Sequence, residues 1–408
     1  MASLKGKVLV GQSGGCTAVI NQSLAGVVDA ARLSKNATHI WGSLYGVTGL
    51  LNGNLIDLKA QPRALLQSVC LLPSAALGSA RYKLAPGEEH QILKNLREWN
   101  VRYLFLVGGN DTADTILRIA KAAEKADYDL RALHVPKTID NDLMETDHCP
   151  GYGSVARFAA ITTQEAGLDT KAMRFVDPVK IIELMGRNSG WIVAAAALLK
   201  RTESDPPHLM CIPEVPFQEG DFIGRVDKIL RRVGYCVVVI SETIRDARGN
   251  RIGARKDGIT QDSFGHQYVE GASGYLARLV EKTLKVRARY DKPGTIQRMS
   301  MSYISKVDQE EAYQAGVHAV KWALKGISKR MVGFRRKAGK KYHIEYSPVP
   351  LEKIPHRERY FPAAFLSSDK TNVNTAFVKY AFPLVGGQLP QFPSLIAKRV
   401  AGIHQSGT

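Results

Sequence analysis

The chain has 408 residues, of which 45% are hydrophobic and 23% are charged. These values are ordinary for a globular protein and exclude a wholly disordered, collagen-like or coiled-coil chain. The unusual quantity is the net charge of +18, and most of it lies after residue 250, where 27 basic residues stand against 12 acidic ones. Such a basic half predicts anionic partners, which are nucleic acid, a membrane surface or phosphorylated small molecules.

The cysteines are widely spaced, which excludes CxxC metal or redox motifs. They are five in number, no two closer than 25 residues, at Cys16, Cys70, Cys149, Cys211 and Cys236. An odd count at this spacing argues against a disulfide framework. No secretory signal is visible, and the longest apolar run, residues 191–199, is too short to span a bilayer. We therefore expect a reduced, cytoplasmic protein with no membrane contact.

The first 150 residues alternate between predicted strands and helices. Strands are predicted at residues 7–10, 39–42, 103–107 and 130–135, and helices at 18–33, 88–99 and 112–125. A repeated order of strand, glycine turn and helix indicates βαβ units and a parallel sheet covered on both faces.

The same alternation continues in the second half of the chain. Strands are predicted at residues 180–184, 208–212 and 236–240, with a helix at 188–200. These elements indicate a second α/β domain. Residues 244–267 are predicted to form an exposed loop, and residues 331–336 and 342–347 a β-hairpin with a strongly cationic turn.

Three segments rich in glycine and polar residues follow predicted strands of the first domain, at 11–15, 108–111 and 136–142. Ligands of open parallel sheets bind outside the carboxyl ends of the strands, so these segments are expected to share one edge. Gly14 and Gly15 precede a helix and suit a phosphate, although a tight turn alone would explain them equally well. Asp111 opens the next helix, where a simple N-cap is the alternative.

The segment Pro136–Asp142, with the sequence PKTIDND, carries the most specific chemistry. It offers a cation, a hydroxyl and two carboxylates within seven residues. Phosphoryl transfer needs a base for the acceptor hydroxyl, a cation for the transferred group and oxygen ligands for Mg²⁺. The alternative is a solvated turn. Arg187 and Arg298 lie in two further glycine-containing segments and are candidate phosphate ligands.

Seven motifs together resemble the phosphofructokinase family. They occur in family order over residues 7–335, as SGG…N at 13–21, LGSAR at 77–81, GGND at 108–111, PKTIDND at 136–142, MGRNSGW at 185–191, Glu242 at a strand end and GTIQR at 294–298. The resemblance implies an α/β fold with two α/β domains, mostly parallel sheets and an active site in the cleft between them. It places phosphoryl-donor binding in residues 1–150 plus about 297–350, and sugar-phosphate binding in residues 151–296 plus about 351–408.

Two positions are similar to the pyrophosphate-dependent branch of that family. ATP-using members resemble GGDG and PGTIDND where this chain has GGND and PKTIDND, so Asp111 and Lys137 each replace a glycine. A carboxylate at Asp111 would crowd and repel the α-phosphate and adenosine of ATP. Lys137 would add a cation for pyrophosphate, which lacks a nucleoside anchor. The implied reaction is reversible phosphoryl transfer from pyrophosphate to the 1-hydroxyl of fructose 6-phosphate.

The resemblance also implies a role for each site residue. Asp140 is the base, and Thr138 and Asp142 orient substrate and metal beside Lys137. The donor is held by Gly14, Gly15, Arg81, Gly109, Asn110, Asp111 and Lys137. The sugar phosphate is held by Thr138, Asp140, Met185, Gly186, Arg187, Glu242 and Arg289, with Arg298 on its 6-phosphate. Asn110 and Asp142 are the candidate ligands of the Mg²⁺ cofactor.

Arg289 matches an arginine that family members donate across a subunit interface, which implies a homodimer or homotetramer. Three alternatives to a pyrophosphate-dependent enzyme remain open at this point. One is an ATP-dependent 6-phosphofructokinase, and another is an inactive regulatory subunit. The third is a basic nucleic-acid-binding protein, which we do not expect because no nucleic-acid-binding motif is present.

Overall fold

The structure is a computed structural model that describes residues 4–253, 271–339 and 341–395. Most of the loop predicted at 244–267 lies outside the described residues, as do Lys340 of the cationic turn and the final segment 396–408. In the part that is described, no helix combines the length and the apolar character needed to cross a membrane. All five cysteines are unpaired, as their spacing predicts.

The described chain alternates between strands and helices for most of its length. The strands are β1 (Gly6–Gln12), β2 (Ala37–Ser43), β3 (Leu55–Asp57), β4 (Val101–Gly108), β5 (Arg131–Pro136), β6 (Val179–Leu184), β7 (Leu209–Cys211), β8 (Cys236–Ser241), β9 (Ala288–Asp291), β10 (Arg330–Arg336) and β11 (Ile344–Pro350). The α-helices are α1 (Ile20–Arg32), α2 (Val47–Asn52), α3 (Arg63–Val69), α4 (Glu88–Glu98), α5 (Asn110–Lys125), α6 (Tyr152–Ala172), α7 (Trp191–Ala195), α8 (Glu219–Val233), α9 (Ala272–Leu284), α10 (Ile296–Met299), α11 (Lys306–Leu324) and α12 (Thr375–Ala381). Short 3₁₀ helices cover Ala196–Leu199, Met301–Tyr303, Leu351–Lys353, Ala363–Phe365 and Phe382–Val385.

The larger sheet has seven strands in the order β11-β10-β5-β4-β1-β2-β3. Its centre is parallel, while β3 and the β10–β11 hairpin add antiparallel pairs at the two edges. The chain leaves β1 toward β2 on one side and later returns to β4 on the other. This reversal opens a crevice at the carboxyl ends of β1 and β4, where open α/β sheets bind ligands.

The smaller sheet has four parallel strands in the order β7-β8-β6-β9. Strand β8 is buried on both faces, and its alternate residues enter two separate cores. Val237 and Val239 face a core that includes α6, α7 and α12, whereas Val238 and Ile240 face a core that includes α8 and α9. The mostly parallel α/β architecture predicted from the sequence is confirmed.

Helices cover both faces of the larger sheet, as predicted. One core contains side chains of α4 and α5, and the other contains side chains of α1 and α11. Helices α1 and α11 approach so closely that a Cβ atom at Gly26 would lie 2.0 Å from the carbonyl oxygen of Tyr313. This contact joins residues 306–324 to the first β-α unit of the chain.

A buried ionic network connects α11 to the loop that follows β5. The Nε2 atom of His148 lies 2.6 Å from a carboxylate oxygen of Glu311, and its Nδ1 atom lies 2.8 Å from Asp147. The Tyr342 hydroxyl donates to the other oxygen of Glu311, and the Phe334 ring packs edge-on against the imidazole. Burial alone would lower the pKa of His148, but the two carboxylates raise it to about 9.

The helix predicted at residues 188–200 is wrong at its start. Helix α7 begins at Trp191 and tightens into a 3₁₀ turn over Ala196–Leu199. Residues 188–190 are not helical because their polar groups bond elsewhere. The Ser189 hydroxyl donates to the carbonyl oxygen of Asp140, and the Gly190 amide donates to Glu214.

Candidate active site

A cavity of about 520 Å³ opens at the carboxyl ends of β1, β4 and β5 and is bounded on the far side by residues that follow β6 and β8. The structure brings almost all the predicted site residues to its wall. They are Gly14, Gly15, Arg81, Gly109, Asn110, Asp111, Lys137, Thr138, Asp140, Asp142, Met185, Arg187, Glu242 and Arg298. The convergence expected for the three strand-end segments is therefore confirmed.

The glycine loop after β1 is fixed against the segment that carries Arg81. The Gly14 amide donates to the carbonyl oxygen of Ala80 over 3.3 Å, and the Ser79 hydroxyl donates to the carbonyl oxygen of Gly14 over 2.6 Å. Gly14 has a φ of +77°, which a residue with a side chain rarely adopts. The glycine therefore allows a turn that keeps the Arg81 segment beside the loop.

Lys137 lies beneath this loop and is buried. Its ammonium donates to the carbonyl oxygen of Gly15 over 2.6 Å. A Cβ atom at Gly14 would lie 3.2 Å from the same ammonium, so the absence of side chains leaves the cation accessible from the cavity. Burial lowers the pKa of Lys137 to about 8, although the carboxylates of Asp140 and Asp142 act in the opposite direction. A bound anion would compensate the cost of burying this charge.

Helix α5 begins at the cavity with Asn110 and Asp111. Its N-cap residue is Gly109, which makes no side-chain capping bond. The N-cap alternative for Asp111 is therefore wrong, because Asp111 lies within the first turn and its exposed side chain borders the cavity. The Oδ1 atom of Asn110 is buried without a hydrogen-bond partner among the described residues.

Asp140 and Asp142 stand on either side of Asn141 and share the centre of the cavity wall. The Asp140 amide donates to the Thr138 hydroxyl over 3.1 Å, which fixes the turn between them. Burial raises the pKa of Asp140 to about 7, with further contributions from Asp142 and Glu242 and opposition from Arg187 and Lys137. Burial also raises the pKa of Asp142. A carboxyl group with a raised pKa is suited to exchanging a proton near neutral pH.

The opposite wall comes from the ends of β6 and β8. Met185 and Arg187 follow β6, and Glu242 follows β8. The amide of Met185 donates to the side-chain oxygen of Gln297, which connects this wall to the segment that carries Arg298. Burial raises the pKa of Glu242, and nearby Glu183 adds to the shift.

Two predicted site residues do not line the cavity. Gly186 is buried with a φ of +124°, and its carbonyl oxygen accepts the Ser241 hydroxyl, so it shapes the turn before Arg187. Arg289 lies on the edge strand β9, where its Nε atom donates to Asp177 over 2.6 Å. Its side chain is 51% exposed.

Arg298 reaches the glycine loop after β1. Its Nη1 atom lies 3.1 Å from the position that a Cβ atom would take at Gly15, and its Nε atom is buried without a partner among the described residues. The sequence predicts contact with the 6-phosphate of the sugar, and this role stays a prediction. Arg298 therefore lies against the glycine loop and lines the same cavity as Lys137.

Sequence reasoning gave no role to several lining residues, which are Ser13, Cys16, Ala80, Tyr82, Lys83, Ile139, Asn188, Ser189, Arg251 and Glu358. Ser13, Asn188 and Ser189 belong to recognised motifs, so their neighbours could have indicated them. Glu358 has no such signal. Its carboxylate accepts the side-chain amide of Asn188, which places the late segment of the chain at the cavity.

The residues present fit a magnesium ion bound together with phosphates. Mg²⁺ prefers oxygen ligands and commonly uses one or two carboxylates plus substrate phosphates. Asn110 offers an unpartnered oxygen and Asp142 a carboxylate on the same cavity wall. The described residues contain no cluster of three His, Cys, Asp or Glu side chains that would hold a metal without a substrate.

Comparison with known proteins agrees with this geometry. The family model described as Phosphofructokinase matches residues 7–323. Two curated proteins named pyrophosphate–fructose 6-phosphate 1-phosphotransferase are similar to this chain. The one from Xanthomonas campestris pv. campestris is 38% identical over 94% of this chain and 93% of its own length. The one from Rhodospirillum rubrum is 37% identical over 98% of this chain and 99% of its own length. The crystal structure of a pyrophosphate-dependent phosphofructokinase from Marinobacter aquaeolei covers 97% of this chain and 98% of its own at 32% identity, with a TM-score of 0.86.

These findings show that the chain belongs to the phosphofructokinase family. Its similarity to the two curated proteins extends over nearly the whole of both chains, beyond the segment that the family model matches.

Proposed function

We propose that this protein catalyses reversible transfer of a phosphoryl group from pyrophosphate to the 1-hydroxyl of fructose 6-phosphate, which yields fructose 1,6-bisphosphate and phosphate. The observation that carries the donor assignment is the pair of charged residues at the glycine loop and at the start of α5. Lys137 is a buried cation that donates to the glycine loop, and Asp111 places a carboxylate at the wall of the same cavity. The names of the two curated relatives support the same reaction.

Asp140 is proposed as the base. It accepts the proton of the 1-hydroxyl while the hydroxyl oxygen bonds to a phosphorus atom of pyrophosphate. The bond between that phosphorus and the bridging oxygen breaks, and phosphate leaves. In the reverse direction the protonated Asp140 returns the proton to the sugar oxygen. A raised pKa suits this residue to both directions.

The cations around the glycine loop are proposed to stabilise the transferred group. Lys137, Arg81 and Arg298 border the same end of the cavity and can oppose charge that develops on the phosphoryl oxygens. Asn110 and Asp142 would hold Mg²⁺, which supplies charge neutralisation to the phosphates when it is bound. Met185, Arg187 and Glu242 would hold the sugar on the opposite wall.

The domain division and the oligomeric state are also proposals. Residues 1–150 with about 297–350 would bind the donor, which is supported by the place of β10 and β11 in the larger sheet. A homo-oligomer with Arg289 at the interface is supported by the surface beside it. Phe175 is 89% exposed next to Val176, and Tyr290 is exposed on the same edge strand as Arg289. The cytoplasmic location stays a prediction.

The decisive experiment compares phosphoryl donors on the purified protein. With fructose 6-phosphate and Mg²⁺ fixed, kcat/KM is measured for pyrophosphate and for ATP, and imidodiphosphate serves as a non-cleavable competitor. We expect turnover with pyrophosphate and competitive inhibition by imidodiphosphate. A higher kcat/KM with ATP would reject pyrophosphate as the donor and favour the ATP-dependent alternative. Salt-dependent retention on DNA at physiological ionic strength, without turnover of either donor, would instead favour the nucleic-acid alternative.

A further inference from the structure

The chain returns to the cavity through residues 356–359, beyond the segment that the family model matches. Glu358 lines the cavity, and His356 lies 3.6 Å from Asp114 on α5. Arg359 follows directly and points at the catalytic loop, which we define as residues 140–148.

Arg359 binds the backbone of the catalytic loop at both ends. Its guanidinium donates to the carbonyl oxygen of Asn141 from Nε over 3.1 Å and from Nη2 over 2.8 Å. The Nη1 atom donates to the carbonyl oxygen of Thr146 over 2.7 Å and also to that of Asp147. A single planar side chain thus joins two parts of the loop that lie five residues apart.

The same arginine holds the loop with its own backbone. The Arg359 amide donates to the carbonyl oxygen of Asp142 over 2.8 Å. Arg359 therefore fixes the backbone carbonyl groups on both sides of the Asp142 Cα atom, which are those of Asn141 and Asp142. Asn141 itself has a φ of +57°, a left-handed conformation that is uncommon for residues other than glycine but that asparagine tolerates.

Arg359 also connects the loop to the opposite wall. Its guanidinium lies over the Trp191 ring at 4.6 Å from the centroid, and its carbonyl oxygen accepts the Trp191 indole N–H over 3.1 Å. Trp191 ends the MGRNSGW motif that carries Arg187. The guanidinium is flat and carries five donors, so it can satisfy several carbonyl oxygens while it stacks on an indole, and a lysine cannot do so.

We propose that Arg359 is a positioning residue for phosphoryl transfer. It holds Asp140 and Asp142 at the geometry that the reaction needs and fixes their distance from the wall that carries Arg187. This inference rests on the proposed function for the identity of the reaction. It does not rest on the choice of donor.

The test measures kcat and both KM values for Arg359→Ala and Arg359→Lys. The matched control is Arg336→Ala, which removes another part-buried arginine that binds Asp147 and the Tyr380 carbonyl but contacts neither Asn141 nor Asp142. Arg357→Ala removes an exposed neighbour. Because a displacement of about 1 Å can cost about 10²-fold in rate, we expect kcat to fall by about that factor in both Arg359 variants while each KM changes little.

Stability and chemical rescue separate positioning from a general loss of folding. Thermal unfolding is recorded for every variant, and kcat is measured well below the lowest Tm. We expect added guanidinium ion, at millimolar concentration, to restore part of the kcat of Arg359→Ala and none of that of Arg336→Ala. A near-wild-type kcat in folded Arg359→Ala or Arg359→Lys would overturn the proposal. An equal loss and an equal response to guanidinium in the two alanine variants would also overturn it.

Failure of the proposed function gives a different result. If the wild-type protein used ATP and not pyrophosphate, the donor assignment would fall, and the ratio of variant to wild-type kcat measured with ATP would still test Arg359.

Discussion

The ammonium of Lys137 donates to the carbonyl oxygen of Gly15 over 2.6 Å, which joins the loop after β5 to the loop after β1. The sequence places these residues 122 positions apart, and the parallel sheet brings their strand ends together. The contact places the cation against the loop that suits a phosphate.

The first prediction concerns Lys137→Met, which keeps the length of the side chain and removes its charge. We expect kcat/KM for pyrophosphate to fall by about 10²–10³, the usual effect of removing one preorganised donor to developing charge. Lys83→Met removes an exposed cation from the same cavity and should cost far less. Steady-state kinetics with pyrophosphate measures kcat/KM for both variants. Equal losses in the two would show that the positive potential of the whole cavity, and not the position of Lys137, causes the effect.

Asp140→Asn should remove the base and leave the size of the residue unchanged. We expect kcat to fall by about 10²–10⁴ with little change in the KM for fructose 6-phosphate. Asp114→Asn, on α5 and outside the cavity lining, serves as the control and should retain activity. An unaltered kcat in Asp140→Asn would remove this residue from the role of base.

Replacement of Asp111 tests why the enzyme would reject ATP. Asp111→Gly removes both bulk and charge, while Asp111→Asn removes only the charge. Repulsion between like charges near a protein surface is on the order of 1–4 kcal/mol, so we expect Asp111→Gly to raise kcat/KM for ATP by about tenfold or more. The gain in Asp111→Asn would measure the part due to charge, and any further gain in Asp111→Gly would measure the steric part. If ATP turnover stays at background in folded Asp111→Gly, the proposed cause of donor selection is wrong.

The buried His148 predicts how stability depends on pH. Its pKa is raised to about 9, above its ordinary value of 6.5, because the effect of Glu311 and Asp147 exceeds that of burial. A histidine with a raised pKa in the folded state contributes stability that is complete below pH 6.5 and is lost as the pH rises through about 9. We expect the free energy of unfolding to fall by about 3 kcal/mol from this source over that window.

The measurement is chemical unfolding at several pH values between 6 and 10. His148→Gln should lose the slope that this group contributes. His318→Gln provides the control, because His318 lies on the same helix as Glu311 and burial lowers its pKa. A slope that persists in His148→Gln would locate the titrating group elsewhere.

The sequence predicted the cavity wall at the ends of β1, β4 and β5 well for a physical reason. Apolar runs in the sequence stop at Gly11, Gly108 and Pro136, and parallel pairing brings such ends to one edge whatever the distance between them along the chain. Asp111 and Lys137 therefore could be placed beside each other without a structure. Met185 and Glu242 were assigned from the family resemblance, and the structure places both after buried strands on the facing wall.

Arg359 and Ser189 could not be predicted in this way. Ser189 donates to the carbonyl oxygen of Asp140, and Arg359 donates to carbonyl oxygens of the catalytic loop more than 200 residues away. Every residue has a carbonyl oxygen, so such contacts leave no pattern in the sequence. The start of the helix predicted at 188–200 was wrong for the same reason, because apolar spacing cannot show that Ser189 has a distant partner.

The hairpin of β10 and β11 has a consequence for synthesis on the ribosome. The smaller sheet is complete once Asp291 has emerged, whereas the larger sheet waits for residues 330–350, which add to the edge of β5. The nascent chain therefore carries an open strand edge on its first-made part while all four strands of the smaller sheet have already emerged. Open edges are sites of aggregation, so termination between β9 and β10 would release a product with one finished sheet and one exposed β5.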